Sequence, residues 1–273
     1  MKLHDTQITN YLTFCKSQKC LDDKTIRAYK IDLTHFASTM PAETSLYDIA
    51  SRQIESYIAH LHSIYKPKTA KRKIASLKAF FHYCEFYEFI ERNPFDKIQI
   101  RFREPVILPK TIPLQTLELF LSTIYNQRQL ATTSYQQKNA LRDAAVIELL
   151  FATGIRISEL CSLKSCDVNL NDNFVLIYGK GSKERKLQIG NDNVLETLNE
   201  YKNTFSKEIE NCGHFFANQS GKPLSDQSVR RMIQKYASLA GIDQHITPHM
   251  FRHTFASSLL DADVDIRYIQ EML

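Results

Sequence analysis

Apolar residues recur every three to four positions through the first ninety residues. Ile26, Tyr29, Leu33, Phe36 and Met40 form one stripe, and Ala70, Ile74, Leu77, Phe81 and Cys84 another. This is the spacing of a helix face turned to a core, so both runs predict amphipathic helices. Shorter stretches, around Ile8 to Cys15 and Ile54 to Leu61, complete a four-helix unit with short connections. The pattern then breaks in "RNPFDKIQIRFREPVILPKTIP", a basic stretch punctuated by Pro94, Pro105, Pro109 and Pro113. Proline interrupts helical hydrogen bonding, which marks residues 92–112 as a linker between a domain of residues 1–91 and one of residues 113–273.

Helical spacing returns from Leu114 and from about Gln137 to Phe151, the latter stopping at Gly154 as a helix does when a residue free to turn left-handed follows it. "FVLIYGKGSKERKLQIG" reads differently. Two β-prone runs, Phe174 to Tyr178 and Arg185 to Ile189, flank a Gly, Lys and Ser turn, the signature of a hairpin. Helices resume at Asp192, Ser225, Thr247 and Asp265. The expected fold is therefore mainly α with a small β-hairpin, an α+β chain in two domains, as a length of 273 residues suggests.

Composition adds little to this picture: 43% hydrophobic and 24% charged residues are ordinary for a globular chain. The start "MKLHDTQITNYLTF" is polar and no apolar run has the length of a membrane span, which predicts a cytoplasmic protein without a membrane partner. The six cysteines include no C-x-x-C pair and predict reduced, structural thiols; Cys161 and Cys166 stand five apart with no matching second pair for zinc.

Charge is more informative in its placement than in its total of +5. Residues 1–104 hold 17 Lys and Arg against 12 Asp and Glu, whereas the remainder balances at 18 against 18. Within the span 66–103 the balance is ten to four. On the fourth helix, Lys68, Lys71, Arg72, Lys78 and His82 fall off the apolar stripe. Such a stripe suits DNA phosphates, and a merely solvated helix face accounts for it equally well.

Three cationic features stand in the second domain. "ATGIRISEL" places Arg156 just after Gly154 and before a helix for which Ser158 is the expected N-cap. Lys180 lies between Gly179 and Gly181 at the hairpin turn. In "ITPHMFRHTFASSLL", Thr247 is the expected N-cap and Pro248 the first helical residue, which puts His249 at a helix start and Arg252 three residues on along the same face. A lone arginine at a helix junction commonly pairs with a carboxylate, here Glu159. Together these residues suit a phosphodiester: two guanidinium groups can hold the nonbridging oxygens, and a lysine or histidine can protonate the departing 5′ oxygen. Such a site requires neither metal nor other cofactor. His249 and His253 are spaced as zinc ligands on a helix, but Met250 stands where a zinc protease carries glutamate, and His253 reads as a buried, hydrogen-bonded side chain. "GKGSK" lacks the glycine spacing of a phosphate loop.

"ATGIRISELCSL", "YGKGSKERKLQIG" and "TPHMFRHTFASSLLD", in this order, resemble the tyrosine recombinases of the phage integrase family, most closely the compact Xer type. "KTIRAYKIDLTHF" and "KTAKRKIASLKAFFHYCEF" are similar to that family's helical core-binding domain, so the resemblance spans nearly the whole chain. It implies a four-helix core-binding domain and a mostly helical catalytic domain that together clamp double-stranded DNA at a recombination site. It also implies four protomers on two sites, alone or with a paralogous recombinase, and a 3′-phosphotyrosyl intermediate. By position, Arg156 and Arg252 match the phosphate-clamping arginines, Lys180 the general acid toward the 5′ hydroxyl, and His249 the histidine that assists proton transfer.

One departure is expected to matter. In the family the segment matching "DIRYIQEML" leads into a Gly-His pair and then the nucleophilic tyrosine, and this sequence stops at Leu273. Residues 1–273 are therefore expected to bind their site without cutting it, Tyr268 falling too early and serving instead to pack its helix. Two alternatives accompany this reading: an inactive protein occupying recombination sites, and a type IB topoisomerase-like enzyme using the same phosphate chemistry.

Overall fold

The first unit is built by four helices whose buried positions follow the apolar stripes. In the computed structural model, which describes residues 3–41, 44–100, 102, 110–179 and 184–273, these are α1 (Leu3–Ser17), α2 (Asp23–Thr39), α3 (Ser51–Ile64) and α4 (Pro67–Phe86). Asp22 starts α2 by accepting the Thr25 amide at 2.8 Å, and Pro67 starts α4 at a position where its missing N–H costs nothing. Tyr11, Leu33, Phe36, Ile54, Leu61, Phe81 and Cys84 fill the core, with Tyr29 and Met40 partly buried against it. Two charged groups, Asp32 and Lys73, enter this core. Asp32 is 2% exposed and accepts from Ser76 Oγ at 2.8 Å, from Lys73 Nζ at 3.2 Å and from the Arg72 guanidinium, which fastens α2 to α4.

The chain divides into units Met1–Ile107 and Leu108–Leu273. The second begins with α5 (Leu114–Gln129) and α6 (Ser134–Thr153). α6 starts three residues before the apolar spacing predicts, because Thr133 Oγ1 accepts the Gln136 amide at 3.2 Å while Gln136 Oε1 accepts the Thr133 amide at 3.3 Å. Its Leu141, Ala144, Ala145, Ile147, Leu149 and Leu150 are buried on several faces, making α6 the central helix of the unit. After the short α7 (Ile157–Ser162) comes an antiparallel sheet of β1 (Val168–Asn169), β2 (Phe174–Tyr178) and β3 (Glu184–Gln188), in that spatial order.

The β2–β3 register runs from Phe174↔Gln188 to Tyr178↔Glu184. This is the predicted hairpin with β3 beginning one residue earlier, plus a two-residue β1 too short to leave an alternating pattern. α8 (Asp192–Thr204), α9 (Ser206–Cys212), α10 (Asp226–Leu239), α11 (Pro248–Asp261) and α12 (Ile266–Met272) complete the unit. Among the described residues no helix is long and apolar enough to cross a membrane.

Candidate functional site

The site is organised at the joint between α6 and α7. Gly154 ends α6 with φ +60°, and a Cβ there would stand 2.5 Å from Phe255 Cδ1 on α11 and 3.1 Å from Leu273 Cδ2. Only glycine accepts both the left-handed turn and this approach of α11. Two residues on, α7 takes Arg156 as its N-cap and begins at Ile157, in place of the expected Ser158 cap. The reason is Glu159: it occupies the third helical position and its Oε2 accepts the Arg156 amide at 2.8 Å, which fixes where the helix starts.

The predicted Arg156–Glu159 pair is present, with Nη1 donating to Oε1 at 2.9 Å. A further cation shares the carboxylate: Arg185 of β3 donates to both Glu159 oxygens at 3.1 and 2.7 Å, and its Nε donates to the Met272 carbonyl at 2.9 Å. Burial pushes the Glu159 carboxyl up, but the Arg185 and Arg156 hydrogen bonds outweigh it and hold the group below the usual glutamate range. No motif in the sequence marks Arg185. Its only signal is a charged residue in a strand whose next-but-one neighbour, Leu187, is buried.

α11 supplies the second half. Thr247 and Pro248 occupy the N-cap and first helical positions as expected, although the Thr247 side chain makes no capping bond. The buried face of the helix is Pro248, Met250, Phe251 and Thr254. His249 and His253 lie off that face and both are exposed, so the expectation of a buried His253 is corrected: i, i+4 spacing puts it beside His249. Arg252 Nη1 donates to the Gly154 carbonyl at 2.9 Å, and its other terminal nitrogen bonds the Leu273 carbonyl. Desolvation and then the nearby Arg156 lower the Arg252 guanidinium to about 10, which leaves it cationic at neutral pH but short of counter-charge. The His249 imidazole is likewise lowered, first by lost solvent and then by Arg230 of α10, His253, Arg252 and Arg156. The structure thus brings Arg156, His249 and Arg252 into one electrostatic neighbourhood and adds Arg230, which stands unremarkably within "SVRRM".

Beside this joint opens a cavity of about 1150 Å³, lined by Arg156, Glu159, Tyr178, Arg185, Lys186 and Tyr268 among others. Tyr268 is 65% exposed, which corrects the expectation that it packs its helix; the buried residue of α12 is the neighbouring Ile269. Lys180 lies outside the described residues. The guanidinium groups of Arg156 and Arg252 outnumber the single carboxylate between them, and that carboxylate is already claimed by Arg185. Such a joint is short of an anion.

In the first unit Lys68, Lys71 and Lys78 are exposed on α4, with the Lys71 and Lys78 ammonium groups 5.9 and 5.8 Å from the ring centroids of Phe102 and Phe95. The Arg72 guanidinium is committed to Asp32 while the side chain stays half exposed.

Comparison with known proteins agrees with this architecture. Residues 124–273 match the phage integrase family, and residues 8–85 match the phage integrase N-terminal SAM-like domain. A tyrosine recombinase of Agathobacter rectalis is 67% identical over 271 residues, covering 98% of this chain and 87% of that protein. Tyrosine recombinase XerD of Listeria innocua is 33% identical over 273 residues, covering 97% of this chain and 89% of that protein. Similar in fold is a lambda integrase (75-356) dimer bound to a COC′ core site, with TM-score 0.74 at 19% identity over 100% of this chain and 94% of that one. So is XerH site-specific recombinase bound to difH substrate, with TM-score 0.71 at 22% identity over 91% and 73%.

Proposed function

The chain belongs to the phage integrase family, as an Xer-type tyrosine recombinase, and from that membership we propose that it breaks and rejoins double-stranded DNA at a specific site through a 3′-phosphotyrosyl intermediate. The observation that carries the proposal is the joint where Arg156 and Arg252 meet around Gly154 with too little negative charge between them.

A scissile phosphate supplies what is missing there. As tyrosine oxygen attacks phosphorus, charge grows on the two nonbridging oxygens, and guanidinium groups already held by Glu159 and by the Gly154 carbonyl meet it without reorganising. Their interaction strengthens toward the transition state, so they serve the chemical step more than ground-state binding. His249, its pKa lowered by lost solvent and then by its cationic neighbours, is suited to accept the proton of the incoming phenol. Lys180, which the sequence places between the described ends of β2 and β3, is assigned the proton given to the departing 5′ oxygen. Lys68, Lys71 and Lys78 are assigned to phosphates of the flanking duplex, with Arg72 reaching them from its anchor on Asp32.

The nucleophile is assigned to no tyrosine of residues 1–273, since the family pattern puts it after the segment matching "DIRYIQEML" and a Gly-His pair that follows that segment. Tyr11, Tyr57, Tyr201 and Tyr236 are buried, and burial raises each phenol further from the phenolate. Four protomers on two duplexes are proposed as the working assembly, supported by a lambda integrase tetramer bound to a Holliday junction among the similar folds.

The test is a nicked suicide duplex carrying a site selected from random sequences, which traps a denaturant-resistant DNA adduct. Residues 1–273 are expected to footprint the site sharply and form no adduct, whereas a chimera continued past Leu273 with the carboxy-terminal segment of the 67% identical relative forms one. An adduct on residues 1–273, above all on the exposed Tyr268, overturns the assignment. Binding without sequence preference, with relaxation of supercoils, favours the topoisomerase-like reading instead.

A further inference from the structure

Away from the cationic joint, α6 carries an ionisable side chain that nothing answers. Glu148, six residues before Gly154, is 7% exposed, and its Oε2 has no hydrogen-bond partner. A buried carboxyl oxygen left without a donor is unfavourable, because its lost hydration is not repaid. Glu148 also lines a cavity of about 540 Å³ between α5, α6 and α8, far larger than a bound water needs. Burial pushes its carboxyl up to about 7. The titratable and charged groups facing this space are Tyr125 and Arg128 from α5 and Glu196 and Glu200 from α8.

Arg128 does not answer Glu148, because its guanidinium bonds both carboxyl oxygens of Glu200. Glu148 and Glu196 are therefore left in excess, and the cavity favours a cation. That cation is not a metal ion, since among the described residues no three His, Cys, Asp or Glu side chains are grouped to hold one. Leu121 and Phe151 give the cavity an apolar wall beside its acids.

We propose that this cavity binds an alkylammonium or alkylguanidinium group, whose N–H donors satisfy Glu148 while its stem lies along Leu121 and Phe151. The site is separate from the DNA-cleaving joint and does not depend on the functional reading above. Binding ionises the acid: the Glu148 O–H bond breaks, its proton leaves to the buffer, and the carboxylate so formed pairs with the cation, so that charge balances. Affinity therefore rises as pH climbs through about 7, and below that value binding releases up to one proton.

Titration calorimetry with n-butylammonium chloride, run at pH 6 in two buffers of different ionisation enthalpy, tests this on the full chain. Saturable binding with release approaching one proton is expected, fading by about pH 8, and n-butanol is expected not to bind. Glu148→Gln should weaken binding at least about tenfold, as loss of a charge-assisted hydrogen bond implies. Should that variant melt early, Glu196→Gln at the exposed rim reports without touching the core and should weaken binding a few-fold. No saturable heat, equal affinity in both variants, equal binding of n-butanol, or binding without proton release overturns the proposal. Sedimentation identifies the source of the cation. Self-association that both n-butylammonium and Glu148→Gln abolish assigns it to a lysine or arginine of a second copy of this chain, and a monomer indifferent to both assigns it to a free amine.

Discussion

Both units bury carboxylates between pairs of cations, and two of these arrangements, at Asp32 and at Glu159, serve different ends. Asp32, in the first unit, takes Arg72 and Lys73 from a single helix; the buried Lys73 cancels its charge inside the core, while Arg72 stays half exposed. Glu159, in the second, takes Arg156 and Arg185 from different elements, with Arg252 and His249 close enough to be perturbed and, among the described residues, no further carboxylate paired with them. A buried ion cluster is thus no mark of a functional site. What marks one is the cation left over once the cluster has been balanced, held in place by groups that cannot follow it into solution.

The largest effect that separates the two is on stability. Asp32→Ala strands the buried Lys73, and removing one partner of a buried pair costs about 3–5 kcal/mol. Denaturant melts should show this loss in the first unit, while the folded fraction of the tailed chimera keeps its cleavage chemistry. Gly154→Ala comes next, at about 2–4 kcal/mol, because a strained φ and the Phe255 contact act together. Gly213→Ala, also at positive φ but with nothing within 4 Å, should cost about 1–2 kcal/mol, the steric strain alone. Equal losses at the two glycines would mean that the approach of α11 to the joint carries no weight.

Glu159→Gln sharpens the contrast from the functional side. The amide keeps the shape and one acceptor but no charge, so Arg156 and Arg185 lose their shared anchor. Single-turnover cleavage by the tailed chimera should fall about 100-fold with DNA affinity changed little, the size expected for disordering one transition-state donor. Smaller is the effect at α4, where Lys71→Ala with Arg72→Ala should flatten the salt dependence of binding by up to about two units of log slope. An unchanged slope would leave that face merely solvated.

The smallest effect is in pH. The His249 pKa lies below the ordinary 6.5 in the free protein, so the imidazole is neutral at pH 7. A phosphate beside it favours the charged form, and binding then takes up protons. Affinity should strengthen as pH falls below about 6.5, by less than tenfold per unit for a single proton, and His249→Gln should flatten the profile.

Much of this was legible in the sequence because the relevant forces are local. Helical stripes, the proline break, Gly154 and Pro248 each declare a conformation through their own sterics, and Arg156, His249 and Arg252 sit beside those markers. What escaped was set by partners distant in sequence. Arg185 lies 26 residues from Glu159, and nothing in a strand pattern says which carboxylate a charged residue meets. Lys73 read as an unremarkable member of a basic run, yet it is buried because Asp32, 41 residues away, is there to receive it. The start of α7 was misplaced for the opposite reason, a side chain only three residues on reaching back to choose the cap. His253 and Tyr268 were assigned to packing faces that their neighbours Thr254 and Ile269 occupy.

The claim that Arg156 and Arg252 act as one clamp on a scissile phosphate is tested most directly by removing a charge from the phosphate. A suicide duplex is made with a methyl group in place of one nonbridging oxygen, so that only one anionic oxygen remains for the guanidinium groups to meet. On the ordinary duplex, Arg156→Ala and Arg252→Ala in the tailed chimera should each lose 100-fold or more in single-turnover cleavage, about the effect of deleting one preorganised donor. On the methylated duplex, one or both variants should recover to within about tenfold of the unsubstituted chimera, since the charge their arginine neutralised is gone. Variants equally crippled on both duplexes, or variants whose lost cleavage is matched by lost binding, would contradict the clamp.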